Sequence, residues 1–291
     1  MRAVRLPTNP LIRPNMDGKM GENINGPSLI KVPDWIERPL GRYYLYFAHH
    51  DGRYIRLAFA DAIEGPWTTF EDGVLPLAES FFQGHLASPD VHVDEQQRRI
   101  RMYFHGADQP SGAAGVPQAT RVALSRDGLR FVAEEPLLGK PYFRVFEWRG
   151  FTYALAMPGI IYRSRDGLRD FAQGPTLFSK NMRHAAVRIE NDRLQVFYTD
   201  VGDAPERILL ATIDLTGDWM SWSESAASLI LAPDEAYEGA DCPNAPSVRG
   251  LIPHRARQLR DPAIFSEGGR TFLFYAIAGE SGIAAAELFE D

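Results

Sequence analysis

Four acidic residues of the sequence are candidates for acid–base catalysis. Asp90 lies in SPDVHVD, Asp261 in RDPAIF, and Glu238 and Asp241 lie together in YEGAD. Cleaving a glycosidic bond needs two carboxyl groups across a pocket: one donates a proton to the leaving oxygen, and the other activates water or attacks directly. Each acid also has a structural interpretation. An Asp before Pro often caps a turn, and Arg260 could form an ion pair with its neighbour Asp261.

Histidines and arginines form a second set of candidates. His184 is a candidate acid, because an imidazole titrates near neutral pH. Arg144, Arg183 and Arg260 could bind a carboxylate or phosphate through their planar forks, although bracing of carboxylates between structural elements would use the same chemistry. The remaining candidates for substrate contact are Asn25, His49, His85 and His105.

The elements that must position these residues repeat about five times along the chain. Short β-branched and aromatic runs such as AIF and TFLFYAIA are separated by Gly-rich turns, which is typical of hairpins. In four copies an aromatic residue follows the opening of the first strand after 12 to 14 positions, as from Pro262 to Tyr275. The turn SRDGLRF at 125–131 returns as SRDGLRDF at 164–171. These repeats predict five four-stranded antiparallel sheets.

The predicted fold is all-β: a five-bladed β-propeller in a single domain covering residues 1–291. The last copy lacks a fourth strand, and residues 2 to 14 resemble the fourth strands of the other copies. We therefore expect the N-terminal strand to close the last blade, which also removes an exposed sheet edge. The predicted copies span 25–77, 85–138, 140–179, 183–232 and 257–288.

Successive turns of an antiparallel blade lie alternately on the two faces of a propeller, so the topology predicts on which face each polar residue lies. The starts of the first strands share one face, named here the mouth face, with the turns between second and third strands. The candidate residues are predicted on this face or in the connection 233–258, whose length is typical of a functional loop. Loops at 81–87, 106–117 and 237–246 are expected to narrow the mouth. A narrow mouth suits a small or terminal substrate better than a polymer chain.

The five blades, with HLASPDVHVD opening the second and RDPAIF the fifth, resemble the five-bladed propeller glycosidases of glycoside hydrolase families 43, 32 and 68. HLASPDVHVD is similar to their WAPD segment at the start of blade two. The resemblance implies a carbohydrate-binding funnel on the axis and reaction at a glycosidic bond, with inversion by single displacement. It also implies an Asp base, a modulating Asp and a Glu acid at the openings of blades one, three and four. Those places are occupied here by Asn25-Gly26-Pro27, Lys140-Pro141-Tyr142 and Arg183-His184-Ala185.

The absence of this acidic triad leaves three functions open. The first is hydrolysis of a small or terminal carbohydrate, with acid and base drawn from Asp90, Glu238, Asp261, Asp241 and His184. The second is phosphorolysis, because the family 130 phosphorylases, which resemble this architecture, bind phosphate through basic residues. The third is sugar binding without catalysis. The arginines at the blade openings would also suit an anionic sugar such as a uronic acid.

Composition limits the partners of the protein. The net charge of −7, from 31 basic and 38 acidic residues, argues against nucleic acid. The single Cys242 and the spacing of the histidines do not match a zinc site, so we expect no catalytic metal and no cofactor, although a structural cation could bind on the propeller axis. No apolar run approaches membrane-spanning length and the N-terminus lacks an apolar signal region, which predicts a cytoplasmic protein without a membrane partner.

Overall fold

Each sequence copy forms a four-stranded antiparallel sheet in a computed structural model, which describes residues 1–50, 52–109 and 117–290. The first strands of all five sheets line one common cavity, so they are innermost and the cavity lies on the central axis of the fold. The five sheets are the blades around this axis, so the predicted five-bladed β-propeller is confirmed.

The strand bounds follow the predicted copies closely. Blade I contains β2 (Asn25–Lys31), β3 (Tyr43–Ala48), β4 (Tyr54–Ala60) and β5 (Thr68–Pro76). Blade II contains β6 (His85–Asp94), β7 (Arg99–Ala107), β8 (Ala119–Ser125) and β9 (Val132–Ala133). Blade III contains β10 (Arg144–Trp148), β11 (Phe151–Ala156), β12 (Ile160–Ser164) and β13 (Ala172–Thr176). Blade IV contains β14 (Met182–Glu190), β15 (Arg193–Asp200), β16 (Ile208–Asp214) and β17 (Ser228–Leu231). Blade V contains β18 (Arg260–Glu267), β19 (Arg270–Ala276), β20 (Ile283–Phe289) and β1 (Arg2–Arg5).

Helical structure in the described residues is limited to short 3-10 turns. These are Leu77–Glu79, Trp219–Ser221 and Ala236–Glu238. None of them is long and apolar enough to cross a membrane.

The N-terminal strand closes the ring, as predicted. Arg2 pairs with Phe289 and Arg5 with Ala286, which places β1 on the outer edge of blade V. The strand is shorter than the predicted span of residues 2 to 14, and beyond Arg5 one isolated bridge joins Ile12 to Ile283. Prolines at positions 7, 10 and 14 explain the early end, because proline has no backbone N–H to donate to a strand ladder.

Apolar clusters fill the spaces between neighbouring blades. Alternate side chains of each second strand point to opposite faces of its sheet, so one strand contributes to two such clusters. Each buried aliphatic or aromatic side chain stabilises the fold by about 1.5–3 kcal/mol. The clusters include Phe47 with Phe274, Tyr46 with Phe104, Tyr103 with Tyr162, Leu155 with Val196, and Phe197 with Tyr275.

The two sequence markers of the repeat contact each other across blade boundaries. Tyr46 of blade I donates to the carbonyl of Gly128 in the SRDG turn of blade II, at 2.9 Å. Tyr103 of blade II donates to Gly167 in the SRDG turn of blade III, also at 2.9 Å. Gly128 has a φ of +74°, and a Cβ there would lie 2.8 Å from the Tyr46 hydroxyl, so the turn requires glycine. The markers recur because they join consecutive blades.

Candidate functional site

Five residues occupy the same place at the openings of the five blades. Each has a left-handed backbone, with φ of 60° at Gly26, 47° at Ser88, 65° at Tyr142, 44° at His184 and 47° at Asp261. In blades I, II, IV and V the residue lies in a register shift of the first strand. Such bulges redirect a side chain out of the regular alternation and are common next to active sites. We refer to these five residues as the axial ring.

Contacts join successive members of the axial ring from Gly26 to Asp261. A Cβ on Gly26 would lie 2.9 Å from the Ser88 Cα, so only glycine fits there. The side chains of Ser88 and Tyr142 are hydrogen-bonded, and the rings of Tyr142 and His184 are 5.0 Å apart. His184 Nδ1 lies 3.6 Å from Asp261 Oδ1. The structure therefore brings together two of the predicted catalytic residues, His184 and Asp261.

Asp261 and His184 form a buried pair whose protonation states are shifted. Their relative exposures are 2% and 5%. Burial, together with the negative charge of Glu280, raises the pKa of Asp261 to about 6, against the opposing effect of nearby arginines. Burial and the charges of Arg183 and Arg260 hold the pKa of His184 well below its usual range. His184 is therefore neutral at neutral pH, whereas Asp261 can exchange a proton there.

The facing atoms of this pair lack partners. Asp261 Oδ1 and His184 Nδ1 are both buried without a hydrogen bond from any described residue. Buried polar atoms in native proteins are almost always hydrogen-bonded, and exceptions often mark sites of catalysis or ligand binding. Two further atoms near the axis share this property, His105 Nδ1 and Arg144 Nη2.

A second carboxylate beside the pair, Glu280, is not among the residues predicted from the sequence. Its Oε1 accepts from Arg260 at 2.8 Å and lies 3.2 Å from His50 Nδ1, and its Oε2 accepts from Asn23 at 2.6 Å. Burial alone would raise the pKa of Glu280, but His50, Arg260 and Asn23 outweigh burial and lower it. Glu280 lies in the GESG turn between the second and third strands of blade V, so topology had already placed it on the mouth face.

The predicted anion-binding arginines are held by other groups. Arg183 pairs with the buried Glu206 through Nε at 2.9 Å. Arg260 donates to Glu280 and to Gln258, and its Nε lies 3.4 Å from Glu206. These contacts match the bracing interpretation and occupy the forks that were expected to bind substrate.

Arg144 spans the axis below the ring. Its Nε donates to the Ala185 carbonyl of blade IV at 2.6 Å, and its Nη1 donates to the Pro89 carbonyl of blade II at 3.0 Å. This side chain therefore bridges two non-adjacent blades and braces the axis rather than opening onto the mouth.

Asp90 does not share a cavity with His184. It lines a cavity of about 450 Å³ that is also lined by Lys31 at the far end of β2 and by Glu95, the residue after β6. Its Oδ2 accepts from the Val145 backbone N–H at 2.7 Å and lies 2.8 Å from His92 Nε2. Burial would raise the pKa of Asp90, but these contacts and the charge of Arg144 lower it. We call this space the far-side cavity.

Glu238 and Asp241 also lie away from the axis, contrary to the expected convergence. Glu238 is fully buried between the long loop and blade V, where both of its oxygens accept from Arg5 at 2.8 Å. The Tyr275 hydroxyl donates to Glu238 Oε1 at 2.8 Å, and two backbone N–H groups donate to Oε2. Asp241 is exposed and pairs with Arg255 at 3.0 Å. These contacts hold Glu238 between the loop and blade V and pair Asp241 with a surface arginine.

The remaining candidates surround the ring at different depths. The His105 ring stacks on Tyr142 at 4.2 Å and lies 5.8 Å from the ring of His85. Asn25 is buried and donates to Asn23, which in turn contacts Glu280. His49 lines a separate cleft of about 810 Å³ beside blade V, which Glu280 also lines.

A cavity of about 300 Å³, named here the mouth cavity, gives access to the ring. His184 and Tyr142 line it from the ring, and Arg249 of the long loop lines it from outside. Only the second half of that loop reaches the mouth, because its first half packs on Arg5. The predicted mouth loop at 106–117 lies partly outside the described residues, since 110–116 are not described. Among the described residues, no group of three or more His, Cys, Asp or Glu side chains could hold a metal ion.

Comparisons with known proteins place the chain in a family. No family model matches it. A protein of Acanthamoeba polyphaga mimivirus, described as "Uncharacterized protein R118", is 35% identical over 322 aligned residues that cover 98% of this chain and 90% of the viral protein. The chain belongs to the family of this viral protein.

Solved structures share the architecture at low sequence identity. A GH43 β-xylosidase/α-arabinofuranosidase from a compost microbial metagenome has a TM-score of 0.65 and 16% identity, with 97% of this chain and 94% of that chain covered. Putative glycoside hydrolases from Parabacteroides distasonis and Bacteroides ovatus have TM-scores of 0.70 and 0.69 with 12% and 13% identity. These matches cover 99% and 100% of this chain, and 97% of each of the other chains. The resemblance to the five-bladed propeller glycosidases is therefore confirmed at the level of the fold.

The axial ring has no acidic residue at the openings of blades I, III and IV, where the resemblance to family 43 implied acids. The axial-ring positions of blades I, III and IV are occupied by Gly26, Tyr142 and His184, and the one carboxylate of the axial ring is Asp261 in blade V. A sequence signal for the ring existed, because Gly26, Ser88 and Asp261 each precede a proline.

Proposed function

We propose that the protein is a glycosidase that hydrolyses a small or terminal carbohydrate bound in the mouth cavity. The observation that carries the proposal is Asp261, a buried carboxyl in the axial ring whose pKa is raised to about 6. Its Oδ1 is unpartnered among the described residues and faces His184, which lines the cavity. The cavity, at about 300 Å³, lies at the lower end of the range of roughly 300–1,000 Å³ for small-molecule sites. That size suits one terminal sugar rather than a polymer chain.

Asp261 is proposed as the general acid. With a pKa of about 6, about a tenth of Asp261 is protonated at pH 7, and the protonated form can donate to the leaving glycosidic oxygen. His184 is neutral, so its Nδ1 can accept or donate a hydrogen bond without taking up the proton that Asp261 donates. This pair replaces the Glu acid implied by the family 43 resemblance.

Glu280 is proposed as the base; it lines the cleft beside blade V and lies 3.2 Å from His50, which lines the mouth cavity. Two carboxyl groups whose surroundings push their pKa values apart can act as the acid and the base of a glycosidase, and here the pKa of Glu280 is lowered whereas that of Asp261 is raised. Its Oε2 accepts only the Asn23 hydrogen bond among the described residues, which leaves a lone pair for a water molecule. A base that activates water directly corresponds to inversion by single displacement.

Hydrolysis is preferred to phosphorolysis for a specific reason. Arg183 and Arg260, which favoured phosphate as a co-substrate, are neutralised by Glu206 and Glu280. Xylotriose and xylose are bound in two of the solved GH43 structures. These sugars therefore guide the choice of the first test substrates.

The test is a panel of aryl glycosides and short oligosaccharides, assayed with and without phosphate. We expect turnover without phosphate and a product whose first-formed anomer is inverted, as followed by NMR. Asp261→Asn should lower kcat by about 10²–10⁴-fold with little change in sugar binding. Asp241→Asn, which removes an exposed carboxylate paired with Arg255, is the matched control and should keep the wild-type rate. Sugar binding without turnover by the wild-type protein would reject the proposal in favour of a non-catalytic binding protein.

A further inference from the structure

The described lining of the mouth cavity has an unusual charge composition. It contains Lys140, Arg183 and Arg249 together with His50 and His184, and no described lining residue is a carboxylate. This contrasts with a chain whose net charge is −7. The cavity is therefore a local region of positive charge on an acidic protein.

Two of these cations are not neutralised. Lys140 is exposed and forms no ion pair with any described residue, and Arg249 is also exposed. The Arg249 guanidinium donates to the Lys180 backbone carbonyl at 3.1 Å and lies 3.7 Å from Met157 Sδ, so it contacts no described carboxylate. Arg183, by contrast, is already paired with Glu206.

Some other exposed cations are paired with carboxylates. Arg255 pairs with Asp241 at 3.0 Å and Arg270 pairs with Glu287 at 2.8 Å. Lys140 and Arg249 instead come from separate segments, the opening of blade III and the long loop, and meet at one cavity. Fixed cations around a concave surface raise the local concentration of anions.

We propose that the substrate of the mouth cavity carries an oxyanion, bound by Lys140 and Arg249. Lys140 supplies a point charge, and the Arg249 fork can bind two oxygens of a carboxylate or phosphate. His184 and Tyr142 line the same cavity, so the anionic sugar ring lies beside the Asp261 pair. This inference rests on the proposed function for the identity of the substrate as a carbohydrate. It assigns the anion to residues other than the three blade-opening arginines.

The oxyanion could be the carboxylate of a uronic acid or a phosphate. Isothermal titration calorimetry with glucuronate, galacturonate, glucose 6-phosphate and inorganic phosphate distinguishes these sources, with glucose and galactose as neutral counterparts. We expect at least one anionic sugar to bind about tenfold or more tightly than its neutral counterpart, with an affinity that falls as salt is raised. Uronates binding better than phosphates would identify a carboxylate, and the reverse order would identify a phosphate.

The variant Lys140→Met/Arg249→Met should lose this preference while neutral sugars bind as before. The matched control is Arg130→Met/Arg193→Met, which removes two exposed cations from the opposite face and should bind like the wild type. Equal binding of anionic and neutral sugars, absence of anion binding, or unchanged anion binding by the Lys140/Arg249 variant would each overturn the inference.

Failure of the inference can be told apart from failure of the proposed function. Binding is measured with Asp261→Asn as well, since that variant keeps Lys140 and Arg249. Selective anion binding without turnover of any glycoside would support the inference and reject hydrolysis. Hydrolysis of neutral glycosides at equal rates by the wild type and the Lys140→Met/Arg249→Met variant would support hydrolysis and reject the inference.

Discussion

Replacing Glu238 by Gln should destabilise the fold rather than abolish chemistry. Gln keeps the size of the side chain but exchanges one accepting oxygen for an NH₂ donor and removes the charge. Glu238 accepts from Arg5 through both oxygens and from the Tyr275 hydroxyl. It also accepts from the backbone N–H groups of Asp234 and Glu235. In the variant an NH₂ group must face at least one of these donors.

The magnitude follows from the burial of the pair. Removing one partner of a buried ion pair costs about 3–5 kcal/mol, because the other partner keeps a buried charge. The Arg5 side chain is 21% exposed, so part of its charge remains solvated and the lower end of the range applies. A loss of about 3 kcal/mol corresponds to a fall of roughly 5–10 °C in Tm for a domain of this size.

The assay is thermal unfolding of Glu238→Gln beside Asp241→Asn, followed by circular dichroism. Asp241 forms an exposed pair with Arg255, and such pairs contribute about 0–1 kcal/mol, so the control should melt within a degree or two of the wild type. Turnover is then measured well below both melting temperatures and should match the wild type in both variants. A Glu238→Gln protein with wild-type stability and greatly reduced turnover would refute the structural role assigned to Glu238.

Three further predictions concern the axis and the blade contacts. The pKa of Asp261 in the folded protein is about 6, above its ordinary value of 3.8. The protonated carboxyl therefore contributes to stability below pH 4, and this contribution is lost as the pH rises through 6. From pH 3 to pH 7, the free energy of unfolding of Asp261→Asn, measured with urea, should therefore rise by about 3 kcal/mol relative to that of the wild type. Glu280→Gln removes a like charge and should lower the Asp261 pKa, which an NMR titration of the Asp261 carboxyl would detect as a midpoint below that of the wild type. Tyr46→Phe should cost about 1 kcal/mol by loss of its hydrogen bond to Gly128, measured as a lower urea midpoint. For each variant, a value equal to that of the wild type would contradict the contact from which the prediction was made.

The fold could be predicted from the sequence because its information is local and repeated. Each copy carries its own turn chemistry, and the Tyr46 and SRDG markers recur because they join consecutive blades. Five copies of the same pattern then leave the propeller as the architecture that buries every sheet face. The closing role of β1 followed from the missing fourth strand of the last copy.

The candidate site was only partly predictable, and Asp90 and Asp261 show why. Both lie beside a proline in a first strand, but Asp261 precedes Pro262 whereas Asp90 follows Pro89. The residue before the proline is the bulge residue, so Ser88 is the counterpart of Asp261, and Asp90 lies farther along the axis. A bulge adds one residue to the strand and reverses the facing of the later side chains in that strand, which strict alternation does not anticipate.

Long-range partners explain the placement of Glu238. Nothing in the YEGAD segment indicates that the carboxylate would meet Arg5, 233 positions away, because the path of a long loop depends on tertiary contacts. Glu280 was missed for the opposite reason. Its turn was placed on the mouth face, but an acidic residue in a Gly-rich turn has no local feature that distinguishes it from a solvated one.

A crystal structure with a bound carbohydrate tests the central claim most directly. We predict a sugar in the mouth cavity with its glycosidic oxygen within hydrogen-bonding distance, about 3 Å, of the Asp261 carboxyl. A sugar bound instead in the far-side cavity against Asp90, with nothing beside Asp261 and His184, would contradict it.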